Sequence, residues 1–199
     1  MTENANQIDL KDRLSLIETM IAEGRRTTER WGWTFVLWGV AYYVAIAWAA
    51  WGGHGNLAWP VTMISAALLT ALPISRRRQG QPETTIGRAI GAVWMAMGIA
   101  LFTVLMSLGI SGRYESHVFM AIIGAMLGTA NATSSIILRW KLQFACALAW
   151  WALAVIACFG SENLTSIAFL AAIFFCQIVF GIYCMIAESR KARQGEVHA

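Results

Sequence analysis

Charged side chains are scarce in this chain of 199 residues, and they are absent from its longest segments. Asp, Glu, Lys and Arg make up 13% of the residues, against about a quarter in a typical soluble domain. None of them occurs in residues 31–75. Hydrophobic residues make up 58% of the chain, which excludes a disordered chain and an ordinary water-soluble globule. The composition therefore predicts a protein that spans a membrane several times.

The uncharged segments also lack the residues on which most membrane chemistry depends. Ion-coupled transporters, proton relays and voltage sensors place acidic, basic or histidine side chains inside the membrane span, and haem held between helices needs axial ligands at that depth. The six segments predicted below contain no such acidic, basic or histidine residue. Walker, GxSxG and dinucleotide-binding motifs are missing as well. We therefore expect no catalytic activity, no cofactor and no nucleic-acid partner.

Cysteine and proline are few, and neither follows the pattern of a functional site. The four cysteines lie inside predicted helices without the paired spacing of a zinc or redox motif, so we expect them to act as small apolar residues and to form no disulfide. None of the three prolines interrupts the middle of a predicted helix, where discontinuous transporter helices break.

The remaining pattern predicts an all-α polytopic membrane protein. A helix needs about 20 apolar residues to cross the ~30 Å hydrocarbon layer, and the first uncharged segment is long enough for two helices divided by a glycine-rich turn at residues 52–56. The alternating pattern of a membrane β-barrel is absent. We predict six transmembrane helices in three hairpins, at residues 33–52, 57–75, 89–110, 118–138, 142–160 and 164–187.

The distribution of Lys and Arg predicts the orientation of these helices. Fourteen of the fifteen Lys and Arg residues fall on the side of both termini, and Arg113 alone falls on the other. Because cytoplasmic loops carry the excess of positive charge, both termini are expected in the cytoplasm. This placement also accounts for the net charge of +4. The predicted parts are a leader at residues 1–30, a transmembrane domain at 31–188 and a basic tail at 189–199.

The leader contains the pattern of an amphipathic helix. Leu10, Leu14, Ile17 and Ile21 recur at helical spacing, and Gly24 is the predicted end of that helix. One interpretation is a helix that lies on the inner leaflet before the chain enters the bilayer. The alternative is a helix that dimerises or binds a membrane-protein partner.

The fourth predicted transmembrane helix carries a stripe of small and polar residues. Gly124, Gly128, Asn131 and Ser135 are spaced at intervals of four, three and four residues, so they share one face. A GxxxG pair lets two helices approach closely, and we predict that Asn131 forms a hydrogen bond with Gln177, which has a similar depth in the sixth helix. The stripe is either a packing seam or the lining of a polar path.

A second group of polar residues lies in the predicted outer turns. His54, Glu115, His117 and Glu162 are residue types that ligate metals through nitrogen and oxygen. No two of them have ligand spacing on one helix, and exposed turns often carry such residues. A metal site here is an alternative to plain solvent exposure.

Two segments near the start of the chain resemble a known group of proteins. The run from Ile17 to Gly24 is followed by two arginines, and Leu37-Trp38-Gly39 lies in the first predicted span. The chain here resembles a loose group of small bacterial inner-membrane proteins with a cytoplasmic amphipathic leader and about six spans. The resemblance implies this topology and a bacterial membrane location, and it implies no catalytic residue.

Three classes of function are compatible with the sequence. The first is a non-catalytic structural, regulatory or interaction subunit of the bacterial inner membrane, with the lipid bilayer, a second copy or another membrane protein as partner. The second is a transporter of a small molecule or lipid through an uncharged path. The third is a membrane enzyme or metalloprotein that uses the polar residues of the outer turns.

Overall fold

The structure, a computed structural model, describes residues 2–52, 55–77, 85–113 and 115–197, and every regular element in these ranges is helical. The all-α prediction is confirmed. The helices are α1 (Thr2–Arg30), α2 (Gly32–Trp51), α3 (Gly55–Arg77), α4 (Thr85–Ile110), α5 (Ser116–Leu138), α6 (Lys141–Phe159), α7 (Glu162–Ile173) and α8 (Phe180–Val197), with a π-helical segment (Phe174–Val179) between the last two.

Five stretches are long and apolar enough to cross a membrane, as expected for a multi-pass membrane protein. They are α2, α4, α5, α6 and the stretch Glu162–Arg190 that runs from α7 through the π-helical segment into α8. The predicted second span falls on α3, whose described apolar part, Leu57–Leu72, is shorter than a full crossing. The predicted span limits otherwise lie within a few residues of the helix ends.

Helices that follow one another in the chain pack as antiparallel neighbours. The indole N–H of Trp38 in α2 donates to the hydroxyl of Thr70 in α3 at 3.2 Å, and the indole of Trp94 in α4 donates to the hydroxyl of Ser134 in α5 at 3.1 Å. The most extensive helix–helix contact in the described ranges joins α5 to α6. These two helices are connected by the short turn at residues 139–140, not by an outer turn of the predicted hairpins.

Aromatic side chains fill the core in two clusters, one toward each end of the bundle. The first is a chain of ring contacts with centroids about 5 Å apart; its members are Trp94, Phe35, Phe180 and Trp140. The second surrounds Phe169 nearer the opposite end; its members are Tyr42, Trp59, Phe119, Phe169 and Trp150. Edge-to-face pairs of this kind add to the stabilisation from apolar burial.

The leader, α1, crosses one end of this bundle. Its buried Gly24 lies against Ile86 at the start of α4 and Leu138 at the end of α5, since a Cβ added at Gly24 would lie 2.5 Å and 3.0 Å from their side chains. The guanidinium carbon of Arg25 lies 4.8 Å from the ring centroid of Trp140. We refer to this end of the bundle as the leader end. The prediction that the leader helix stops at Gly24 is wrong, because α1 continues to Arg30 and the glycine serves close packing.

Candidate functional sites

The stripe on α5 packs against α6 of the same chain. A Cβ added at Gly124 would lie 2.8 Å from the carbonyl oxygen of Trp150, and one at Gly128 would meet the ring of Trp151. Both glycines therefore let the two helices approach closely. Ser135, on the same stripe, is buried and donates to the carbonyl of Ala132 in its own helix. The stripe is occupied inside the molecule, which leaves it closed to a partner chain.

The structure does not join Asn131 to Gln177. The side-chain nitrogen of Asn131 donates to the carbonyl of Leu127 in its own helix at 2.9 Å. Gln177 is buried in the π-helical segment and faces α2, where a Cβ added at Gly39 would lie 3.0 Å from the Cβ of Gln177. Among the described residues no hydrogen bond connects the two amides. The predicted interhelical bond is therefore absent from this structure.

Several polar atoms inside the α5–α6 region have no partner within the described chain. They are the side-chain oxygen of Asn131, both polar atoms of the Gln143 amide and the indole nitrogen of Trp150. All three residues are fully buried, and a buried polar atom without a partner costs about 1–3 kcal/mol. The sequence pattern did not single out Gln143. The sequence feature that could have identified Gln143 is an amide side chain near the start of an otherwise apolar predicted span.

The π-helical segment lies next to these residues. In this stretch each backbone N–H reaches back five residues instead of four, and such insertions occur often at functional sites. Its Cys176 thiol contacts the carbonyl of Cys146 in α6 at 3.8 Å, one turn from Gln143. The segment therefore brings a locally widened helix against α6 at Cys146.

The opposite end of the bundle holds a small cleft between the first turns of α5 and α7. Its volume is about 100 Å³, and its lining residues are Ser116, His117, Met120, Glu162, Thr165 and Ser166. The Nδ1 atom of His117 lies 3.1 Å from the carbonyl oxygen of Ala157 at the end of α6. Because a carbonyl oxygen only accepts, Nδ1 carries the proton in this hydrogen bond. This bond orients the imidazole.

Two of the four residues in the predicted outer cluster line that cleft. His117 and Glu162 do so, whereas Glu115 is exposed and is not among the lining residues. His54 lies outside the described residues. In the ranges that the structure describes, no three His, Cys, Asp or Glu side chains come together as a metal-binding group.

A third polar site lies where the leader meets the bundle. Glu29 is only 3% exposed, and its carboxylate lies 4.0 Å from the Nε atom of Arg25, one turn earlier in α1. Arg30 lies 3.9 Å from the carboxylate of Glu188 in α8. The Arg30–Glu188 pair attaches the end of the leader to the last helix, and the contact of Arg25 with Trp140 attaches it to the α5–α6 turn.

Comparison with protein-family models, curated proteins and solved structures gave no match to this chain.

Proposed function

We propose that this chain is a non-catalytic structural or regulatory subunit of the bacterial inner membrane, whose leader lies on the cytoplasmic leaflet. The observation that carries the proposal is that one face of α1 is exposed and apolar in the first part of the helix and is buried against the bundle in the last part. Leu10, Leu14, Ile17, Gly24 and Thr28 share this face at helical spacing. The first three are more than half exposed, and the last two are buried against the bundle.

The direction of this face supports contact with lipid. At Gly24 this face of α1 packs on the ends of α4 and α5. The face is therefore turned toward the bundle, and so toward the membrane that the bundle would span. Where α1 extends past the bundle, the same face carries leucine and isoleucine side chains that are 52–60% exposed. Exposed Lys11 and Arg13 lie beside them, and basic residues attract anionic headgroups. An amphipathic helix with this arrangement is suited to the membrane interface.

The contacts of the leader also support six crossings with both termini in the cytoplasm. Gly24 contacts Ile86 at the start of α4, so the chain has returned to the leader end before α4 begins. Helix α2 leaves that end, and α3 is the element that brings the chain back. With α3 counted as a crossing, nearly all Lys and Arg fall on the leader end, in agreement with the positive-inside rule.

Site-directed spin labelling tests the position of the leader. The full chain, with its four cysteines replaced by alanine, is labelled at Leu14→Cys or, as the control on the opposite face, at Thr19→Cys, and is placed in anionic nanodiscs. We expect the label at position 14 to be accessible to oxygen and shielded from a water-soluble nickel chelate, with the reverse at position 19. Equal exposure of both labels to the nickel chelate would contradict the proposal.

Purification in a mild detergent tests the role as a subunit. We expect a membrane protein to copurify in fixed stoichiometry with the wild-type chain and to be retained after crosslinking through the polar face of the leader. A chain that purifies alone at every detergent concentration, with turnover of a substrate, would contradict a non-catalytic subunit.

Passage of a small uncharged molecule is the second candidate function, favoured by the unpaired amide atoms of Asn131 and Gln143. Proteoliposomes loaded with glycerol or urea test it by light scattering. An uptake rate above that of empty vesicles, lowered by Asn131→Leu, would support transport. A rate equal to that of empty vesicles would eliminate it for these solutes.

A further inference from the structure

The turn between α5 and α6 groups basic residues at the leader end of the bundle. Arg139 and Lys141 flank Trp140 in the chain, and both basic residues are exposed while the tryptophan is buried. The guanidinium carbon of Arg25 in the leader lies 4.8 Å from the ring centroid of the same tryptophan. Three basic residues are therefore grouped at one indole, at the end that the proposed function places in the cytoplasmic leaflet.

Only one of these three basic residues is balanced by a carboxylate. The Nε atom of Arg25 lies 4.0 Å from the carboxylate of Glu29. Within the part of the chain that the structure describes, neither Arg139 nor Lys141 has an ion-pair partner. Two positive charges are therefore left for an anion from outside the chain, and basic residues in this position attract anionic lipid headgroups.

The backbone of the turn adds further donors for an anion. Arg139 ends α5 in the left-handed conformation, with φ 50° and ψ 43°, and it is the one non-glycine residue with positive φ in the described ranges. This conformation favours glycine and costs an arginine conformational energy. Trp140 gives α6 no side-chain cap, so the first N–H groups of α6 have no intrahelical acceptor and carry partial positive charge.

An apolar stripe on the lipid-facing side of α6 begins at Lys141. At intervals of three, four, three and four residues, Lys141 is followed on the same face by Phe144, Leu148, Trp151 and Val155. These four side chains are 36–59% exposed. From the first to the last of them the helix rises about 16 Å, which is about half of the ~30 Å hydrocarbon layer. A lipid of one leaflet that lies along this stripe therefore has its headgroup at the level of Lys141.

We propose that this surface binds an anionic phospholipid. Arg139, Lys141 and the first N–H groups of α6 hold its phosphate, and the α6 stripe holds an acyl chain. Free phosphate would match the charges but would leave the stripe unused, and a zwitterionic lipid brings an ammonium group that the unpaired cations repel. The proposal rests on the proposed function only for the leaflet in which the leader end lies.

Native mass spectrometry of the full chain in detergent tests the site. The probes are phosphatidylglycerol, phosphatidylcholine and inorganic phosphate. The wild type is compared with Arg139→Gly, Lys141→Gln and the control Arg193→Gln, which removes one exposed charge beyond α8's apolar part and away from this turn. We expect one phosphatidylglycerol per wild-type chain and wild-type binding in the control. Each of the first two variants should bind about fivefold more weakly, the equivalent of about 1 kcal/mol per basic residue near an anionic surface.

Thermal unfolding separates the loss of the site from the loss of the fold. Glycine relieves the left-handed backbone at position 139, so Arg139→Gly should unfold at a higher temperature than the wild type in lipid-free detergent while it binds the lipid more weakly. No bound lipid in the wild type, equal retention of the two lipids, displacement of the lipid by inorganic phosphate, or an equal loss in Arg193→Gln would each overturn the proposal. The spin labels at positions 14 and 19 report on the leader separately, so a failure of the proposed function is distinguishable from a failure of this site.

Discussion

Alanine substitutions at Gly124, Gly128 and Gly98 should change the free energy of unfolding in different directions, because the three glycines have different surroundings. A Cβ at Gly124 would lie 2.8 Å from the carbonyl oxygen of Trp150 and 3.0 Å from the amide nitrogen of Ala154. These are backbone atoms, so α5 and α6 must separate by several tenths of an ångström. Overpacking of this kind costs about 1–3 kcal/mol, and alanine recovers about 1 kcal/mol of helix propensity. Gly124→Ala should therefore lower the free energy of unfolding by up to about 2 kcal/mol.

The other two positions provide the comparison. At Gly128 the three atoms nearest to the added Cβ all belong to the ring of Trp151, which is 36% exposed and can rotate, so the net loss should stay below about 1 kcal/mol. At Gly98 in α4 nothing lies within 4 Å, and alanine should stabilise the helix by up to about 1 kcal/mol.

Reversible unfolding in mild detergent, followed by circular dichroism, measures the three differences against the wild type. The expected order of stability is Gly98→Ala, wild type, Gly128→Ala and Gly124→Ala. If Gly124→Ala proves as stable as Gly98→Ala, then the close α5–α6 contact does not exist in the membrane protein. The interpretation of the glycine stripe as a packing seam would then be refuted.

Three further substitutions test other contacts by the same unfolding measurement. Gln143→Leu should raise the free energy of unfolding by about 1–3 kcal/mol, because it removes a buried amide without partners; a loss of stability would show that the amide is paired. A double-mutant cycle of Trp94→Phe and Ser134→Ala should give a coupling of about 0.6 kcal/mol from their interhelical hydrogen bond, and zero coupling would contradict that bond. Arg25→Ala should destabilise more than substitution of the exposed Arg26 by alanine, since Arg25 contacts Trp140 and the buried carboxylate of α1; equal effects would mean that the leader does not dock as described.

The helices were predictable from the sequence because their signals are local. Runs of uncharged residues mark the spans, and the turn glycines between α2 and α3 divide the longest run. The end of the leader was not predictable in the same way. Gly24 favours termination in an isolated helix, but here the space that it leaves is filled by Ile86 and Leu138. A tertiary contact thus overrides the local preference.

The candidate sites were predictable only in part because helix rotation is not a local property. Spacing placed Gly124 and Gly128 on one face, yet nothing in that spacing indicates α6 as the neighbour. The pairing of Asn131 with Gln177 assumed equal depth and an ordinary helical period. The π-helical segment changes that period around Gln177, and the side chain faces Gly39 in α2 instead. His117 and Glu162 line one cleft because α5 and α7 begin side by side, which only the fold reveals.

Labelling of single cysteines from the two sides of the membrane tests the six-span topology most directly. Ser111→Cys, Lys141→Cys and Arg193→Cys, each in a chain whose four cysteines are replaced by alanine, report on exposed positions at the two ends of the bundle. In intact cells an impermeant maleimide should label position 111 alone, and in inverted vesicles it should label positions 141 and 193. Labelling of 141 and 193 in intact cells, with 111 protected, would contradict six spans with a cytoplasmic leader and tail.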